Sequence, residues 1–376
     1  MHIRQSAPVL QLKLKSLQVF RGFAAMLVLL FHATTMSKVF LNYDFVNGIF
    51  LFGYSGVDFF FVLSGFIIFW AHGAEIGKRG AVRPYARKRF IRIYPVYWIV
   101  ALALIPVYFG LPHQPNDWLV LLKSLLLLPQ ANNPILLVAW SLSSEVFFYA
   151  LFGFAIYFSW RRTWPVFTVW LVITAVFYVL KLLNNGTSFS PAHTGFVFSA
   201  YNLEFAMGCF AAYLVRRLSF DGRWLVIAGG ACFLILGLSE KYLAAHFGRH
   251  HSIVAYGLAS MVIVCGAVLW EQRRAKRPPA LLLLFGDASY SIYLTHCVVL
   301  EACLRSSSTL GILARVSPTL VTGMSIVIAL AVGVLFYRYV ERPLISRLRR
   351  RSGSSSPFAY RPIPSAADVL TEEQSV

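Results

Sequence analysis

The chain is 376 residues long, 58% hydrophobic and 13% charged, with a mean hydropathy of +0.66, against about 25% charged residues in an ordinary soluble domain. That composition excludes a soluble enzyme and predicts an all-α polytopic membrane bundle. The formal net charge is +19, but the basic residues sit in clusters between apolar stretches, which is a topology signal and implies no nucleic-acid partner.

A helix needs about 20 predominantly apolar residues to cross a bilayer. In chain order such stretches fall near 17–35, 47–71, 93–110, 140–158, 165–182, 196–214, 224–238, 252–270, 281–302 and 319–340, which predicts about ten transmembrane helices. The segment DWLVLLKSLLLLP, Asp117 to Pro129, is too short and carries Lys123, so it reads as an interfacial or re-entrant helix. With ten crossings the clusters at 78–92, 161–162, 216–223 and 273–277 and the one from Arg338 fall on one side together with both termini, which the positive-inside rule makes cytoplasmic.

The predicted organisation is a cytoplasmic segment over 1–16, one integral domain over 17–345, and a cytoplasmic tail over 346–376 whose Ser- and Pro-rich composition predicts disorder. Basic residues precede the first apolar run as in a signal peptide, but no A-x-A site follows Ala33, so the first helix is expected to remain. The five cysteines show no C-x-x-C pairing and read as small packing residues rather than disulfides or zinc ligands.

Ionisable groups at membrane depth are costly and are functional hypotheses by default. Arg21 and His32, eleven positions apart, lie about three turns plus 20° apart, hence on one face and about 16 Å apart along the axis. Taken singly, Arg21 could snorkel to headgroups and His32 could bond a neighbouring helix; the shared face favours a common cavity. Asp58 falls near the middle of the second span, with Arg21, Arg89 and Arg92 as candidate partners. The loop RPYARKRFIRIYPVYW, Arg83 to Trp98, is a topology signal or an anion site, since arginine forks bind phosphate bidentately. Its Tyr94, Tyr97 and Trp98 read as an aromatic belt. Ser64-Gly65 has no nucleophile-elbow context and reads as close helix packing.

Glu145 lies in AWSLSSEVFFY at about the predicted depth of His32, where a carboxylate can orient an imidazole and stabilise its protonated form, or simply hold two helices together. Trp140, Ser141 and Tyr149 of the same stretch, with Glu204 and His296, are cavity-lining candidates. HFGRHH, His246 to His251, has i, i+4 metal-ligand spacing but no third ligand type nearby, so no metal is expected.

Arginines at the cytoplasmic side and a base with a carboxylate near the outer side suit a donor with an anionic inner end and a reactive outer end. Acyl-coenzyme A is such a molecule, and a base at its thioester would deprotonate a sugar hydroxyl from the other side. A glycolipid transporter or flippase is the rival, but no repeat between the halves is evident.

FRGFAAMLVLLFHA, GVDFFFVLSGFII, RKRFIRIYPVYW, WSLSSEVFFY and SYSIYLTH, in that order over about Leu17 to Arg342, resemble the membrane-bound acyltransferase 3 family, and within it the exopolysaccharide-type O-acetyltransferases. The resemblance implies His32 as the catalytic histidine, Arg21 as its motif partner, Arg89 and Arg92 as the basic pair, and Glu145 as the motif carboxylate. It implies acetyl-coenzyme A as donor and a carbohydrate or lipid-linked glycan as acceptor. It further implies residence in the bacterial inner membrane among lipids, with polysaccharide-biosynthesis proteins as possible partners.

Overall fold

The computed structural model describes residues 14–110, 117–130, 133–183, 192–247, 252–273 and 278–350, and among them there is no strand. The helices are α1 (Lys15–Leu41), α2 (Ser55–His72), α3 (Val82–Phe109), α4 (Asp117–Leu126), α5 (Ala139–Phe158), α6 (Trp160–Leu183), α7 (Ala192–Val197), α8 (Tyr201–Val215), α9 (Arg223–Phe247), α10 (Ser252–Arg273), α11 (Ala280–Thr309), α12 (Pro318–Phe336) and α13 (Arg342–Arg350). The HFGRHH histidines from 248 on, the first 13 residues and the tail from 351 lie outside the described residues. The helical chain continues past 346, because a π-helical turn at Tyr337–Glu341 leads from α12 directly into α13.

Nine helical stretches among the described residues are long and apolar enough to cross a membrane. The expected span at 196–214 differs: α7 stops at Val197 and α8 holds only 15 residues, about 22 Å of helix against a hydrocarbon core of about 30 Å. Protein contact explains this shortness. α8 is packed into α2 and α10, and irregular backbone at membrane depth is tolerated where protein covers it. α3 departs the other way, because the stretch read as a basic loop is helical from Val82. Pro84 sits in the first turn, where a missing N–H costs nothing, so Arg89 and Arg92 are one turn apart on a rigid element. The short helix expected at Asp117 to Pro129 is present as α4.

Backbone contact fixes the packing. A Cβ on Gly286 would stand 2.0 Å from the Gln18 carbonyl oxygen, and one on Gly22 2.9 Å from the Gly286 nitrogen. The backbones of α1 and α11 therefore touch and run parallel. Gly65 and Gly208 do the same for α2 and α8, each with only 2.0 Å to a carbonyl oxygen of the other helix, which is the close packing expected of Gly65.

Lateral contacts also sort the helix ends. The Lys15 and Ser16 amides donate to Glu271, Arg89 meets His72, Arg216 donates to the Trp70 carbonyl, Arg273 to that of Ser219, and Gly77 to that of Ala155. These ends, with their arginines, form one basic end of the bundle. The starts of α2, α5, α8 and α10 lie at the far end.

Candidate active site

His32 and His296 meet because α1 and α11 are in backbone contact and parallel. His296 is fully buried and His32 half-buried. The Nδ1 of His296 lies 3.0 Å from the Ile292 carbonyl oxygen, so it carries the proton and leaves Nε2 as an acceptor. That Nε2 is 3.1 Å from Nδ1 of His32, which also lies 3.0 Å from the Val28 carbonyl oxygen. Nδ1–H of His32 is therefore the donor to both, and its Nε2 keeps a lone pair that no described residue engages. An imidazole held in this tautomer through its Nδ1 keeps the free Nε2 lone pair that a general base requires. Cys297 adds its thiol 3.4 Å from Nε2 of His296, and the Tyr293 ring packs 5.8 Å from that imidazole. The Tyr293 hydroxyl is 2.6 Å from Ser141 Oγ, which ties α5 to the histidine pair.

Glu145 belongs to a different group. Its Oε1 accepts from Tyr149, one turn along α5, and from Ser64 on α2 at 3.2 Å. It makes no hydrogen bond to His32; the neighbour at i+4 takes the carboxylate, and His296 takes the place expected for it. The Tyr149 ring lies 5.3 Å below the Arg89 guanidinium, whose other aromatic neighbour is Tyr85 at 5.6 Å. Arg89 donates to His72 Nε2 at 2.7 Å, and His72 donates from Nδ1 to Glu75, also at 2.7 Å. Arg89 Nε is buried and has no hydrogen-bond partner among the described residues.

Arg92 is clasped by Glu341 at 2.6 Å, and the second oxygen of Glu341 accepts from Ser291 at 2.6 Å. Arg92 also stands 5.0 Å over Tyr290. Arg21 lies within electrostatic range of Arg92, Glu341, Glu145 and Tyr149, and makes no hydrogen bond to a described residue. Four predicted residues, Arg21, Arg89, Arg92 and Glu145, thus converge towards the basic end. His32 and His296 converge towards the far end.

Asp58 and Glu204 join neither group. α2 begins at Ser55, so Asp58 is in its first turn rather than mid-span, and its neighbour is the Glu204 carboxyl rather than an arginine. Both side chains are buried, 1% and 0% exposed, in the α2–α8–α10 interface, and Glu204 Cγ leaves only 2.9 Å to a Cβ at Gly257. Trp140 is exposed at the start of α5, with its ring 5.4 Å from that of Tyr201. Among the five cysteines none is paired; Cys265 and Cys297 are buried and Cys232 is exposed.

The residues not singled out from sequence are His72, Tyr290, Cys297 and Glu341. Only Glu341 carried a signal, as the one acid inside the basic run after the last apolar stretch.

No solved structure matches the chain. Its sequence is 29% identical over 318 residues to the Exopolysaccharide production protein ExoZ of Rhizobium meliloti (strain 1021), covering 80% of this chain and 92% of that protein. It is 25% identical over 353 residues to Acyltransferase MdmB of Streptomyces mycarofaciens, covering 85% and 86%. A third relative, Protein 2 in picA locus of Rhizobium radiobacter, is 32% identical over 158 residues, 35% of this chain and 77% of that protein. Residues 14–338, from the start of α1 to the beginning of the π-helical turn, match the family described as Acyltransferase domain. A multi-pass helical bundle that matches this family over nearly all its described length is an acyltransferase rather than a transporter, and the chain belongs to the membrane-bound acyltransferase 3 family.

Proposed function

We propose that this acyltransferase moves an acyl group, acetyl in the first instance, from cytoplasmic acyl-coenzyme A to a hydroxyl of a cell-surface or exported carbohydrate. The observation that carries the reading is the His32–His296 pair, which leaves His32 Nε2 as the free basic nitrogen. The name of the relative ExoZ, an exopolysaccharide production protein, supports a glycan acceptor, and that of MdmB supports acyl transfer.

In the proposed reaction His32 Nε2 takes the proton of the acceptor hydroxyl as the oxygen attacks the thioester carbonyl. The C–O bond forms, the C–S bond breaks, and the departing thiolate regains the proton from His32. Charge on the His32 ring strengthens its Nδ1–H bond to His296. Arg21, which makes no hydrogen bond to a described residue, and the Nε of Arg89, which has none either, offer donors to the phosphates of coenzyme A at the basic end. Glu145 holds Tyr149 under Arg89 and so orders the donor side. The basic end faces the cytoplasm of a bacterial inner membrane in this reading, as the positive-inside rule requires.

Mass spectrometry of surface and secreted polysaccharide from cells with and without the gene tests the class. A mass difference of one acyl group is expected, and identical glycans would overturn the reading. Arg89→Ala should raise the KM for acetyl-coenzyme A in membrane vesicles with little change in the KM for glycan. An unchanged donor dependence would reduce Arg89 to a topology signal.

A further inference from the structure

At the far end, α4, α5 and the α7–α8 junction enclose a groove made of two adjoining cavities of about 200 and 300 Å³ that share Pro129, Gln130, Trp140 and Phe196. Together they fall at the lower end of the range of about 300–1,000 Å³ typical of small-molecule sites. We propose that this groove seats the sugar ring of the acceptor, with Trp140 as its stacking platform and Gln130 as a hydrogen-bond acceptor. The proposal rests on the carbohydrate reading above and adds where the acceptor binds.

Charge decides the ligand class first. Among the described residues no Lys, Arg, Asp or Glu lines the groove, so they offer no charge with which to hold the phosphates of the donor. Its lining mixes aromatic and aliphatic side chains with hydroxyl and amide groups, a mixture that suits an uncharged polyol with an apolar ring face.

Preformed geometry is the second observation. Trp140 is 41% exposed, yet its indole is propped at 5.4 Å against Tyr201, so the platform is fixed before a ligand arrives. Gln130 is fixed too, because its Nε2 donates to Ser124 Oγ at 3.0 Å. The amide oxygen of Gln130 is buried and receives no hydrogen bond from a described residue. A buried amide oxygen without a donor is rare in a folded chain, and a sugar hydroxyl supplies the missing one.

Continuity with the base is the third. Ser141, next to Trp140 in sequence, is hydrogen-bonded to Tyr293 at 2.6 Å; Tyr293 packs on His296, and His296 holds His32. Trp140 and the imidazole that would deprotonate the saccharide are thus linked through Ser141, Tyr293 and His296.

The test uses the full-length enzyme in membrane vesicles, with alkali-deacetylated polysaccharide of the source cells as acceptor and acetyl-coenzyme A as donor. Trp140→Ala and Gln130→Leu should each raise the KM for polysaccharide about tenfold or more while the KM for acetyl-coenzyme A stays within about twofold, and Trp140→Phe should restore most of the loss. In a second measurement, Ser199→Cys should react with a maleimide, and added polysaccharide should slow that reaction. This readout remains informative if the first variants fail to fold. Unchanged acceptor KM in Trp140→Ala, or no protection of Ser199→Cys, would overturn the groove while leaving the reaction intact. Absence of any transfer by the wild type would instead overturn the carbohydrate reading on which the groove depends.

Discussion

His32 shares one proton between two acceptors, the Val28 carbonyl and His296 Nε2, and this arrangement yields separable predictions for the two histidines. Replacing His32 by Ala removes the base, and a fall in kcat of about 10²–10⁴-fold is expected with membrane insertion unchanged. His296 touches no substrate atom in the proposed reaction; it positions His32. His296→Ala should therefore lower kcat with little change in either KM, and His296→Gln, whose amide oxygen can take the same proton, should recover part of the rate. A measured KM effect without a kcat effect would mean that His296 binds substrate instead. Arg21 and His32 were legible from sequence because each is an ionisable group beside or within an apolar run, where its cost demands a reason. The pairing with His296 was not, since the partners are 264 positions apart and nothing local records which helices touch. Depth alone placed Glu145 beside His32, and a hydroxyl one turn away on its own helix outweighed that inference.

Helix contacts hold these residues in register, and two of them are single-residue devices. The first is Gly286, whose missing Cβ lets α11 lie on the Gln18 carbonyl of α1. Gly286→Leu must push the helices apart, and His32 and His296 should lose their hydrogen bond. The expected result is an inserted but inactive protein with a lowered melting temperature, measured by thermal unfolding in detergent. The second is the Arg92–Glu341 clasp between α3 and the π-helical turn, with side chains 24% and 2% exposed. Arg92→Gln leaves Glu341 buried without its counter-charge, at a cost of about 3–5 kcal/mol. The double variant Arg92→Gln with Glu341→Gln should restore much of the stability. If the double variant were no more stable than the single one, the clasp would contribute nothing. The order of the long helices could be read from hydropathy, but their exact number and their ends could not. The hydropathy of α3 begins late because its first turns are basic, and α8 is short because α2 and α10 sheathe it; both depend on neighbours distant in sequence.

Across the whole molecule the groups form an axis: arginines and Glu145 towards the basic end, the histidine pair and the Trp140 groove towards the far end. On α1 alone Arg21 and His32 are separated by about 16 Å, about half the hydrocarbon thickness. In the proposed reaction a donor held by its phosphates at one end and an acceptor held at the other meet within the bundle, and the pantetheine arm would cover that distance. The proposed orientation of the axis rests on the basic residues at one set of helix ends, which the sequence already clustered between its apolar stretches. Reporter cysteines can read it directly. Lys78, between α2 and α3, is exposed at the basic end, and Asp44, between α1 and α2, is exposed at the far end. In a variant with the five native cysteines replaced, Asp44→Cys should react with a membrane-impermeant maleimide added to intact cells. In the proposed inner-membrane orientation, Lys78→Cys should react only after that membrane is opened. The reverse pattern would put His32 towards the cytoplasmic face and the arginines outside, where no acyl-coenzyme A is available. The proposed path of the acyl group would then fail, although the fold and the histidine pair would stand.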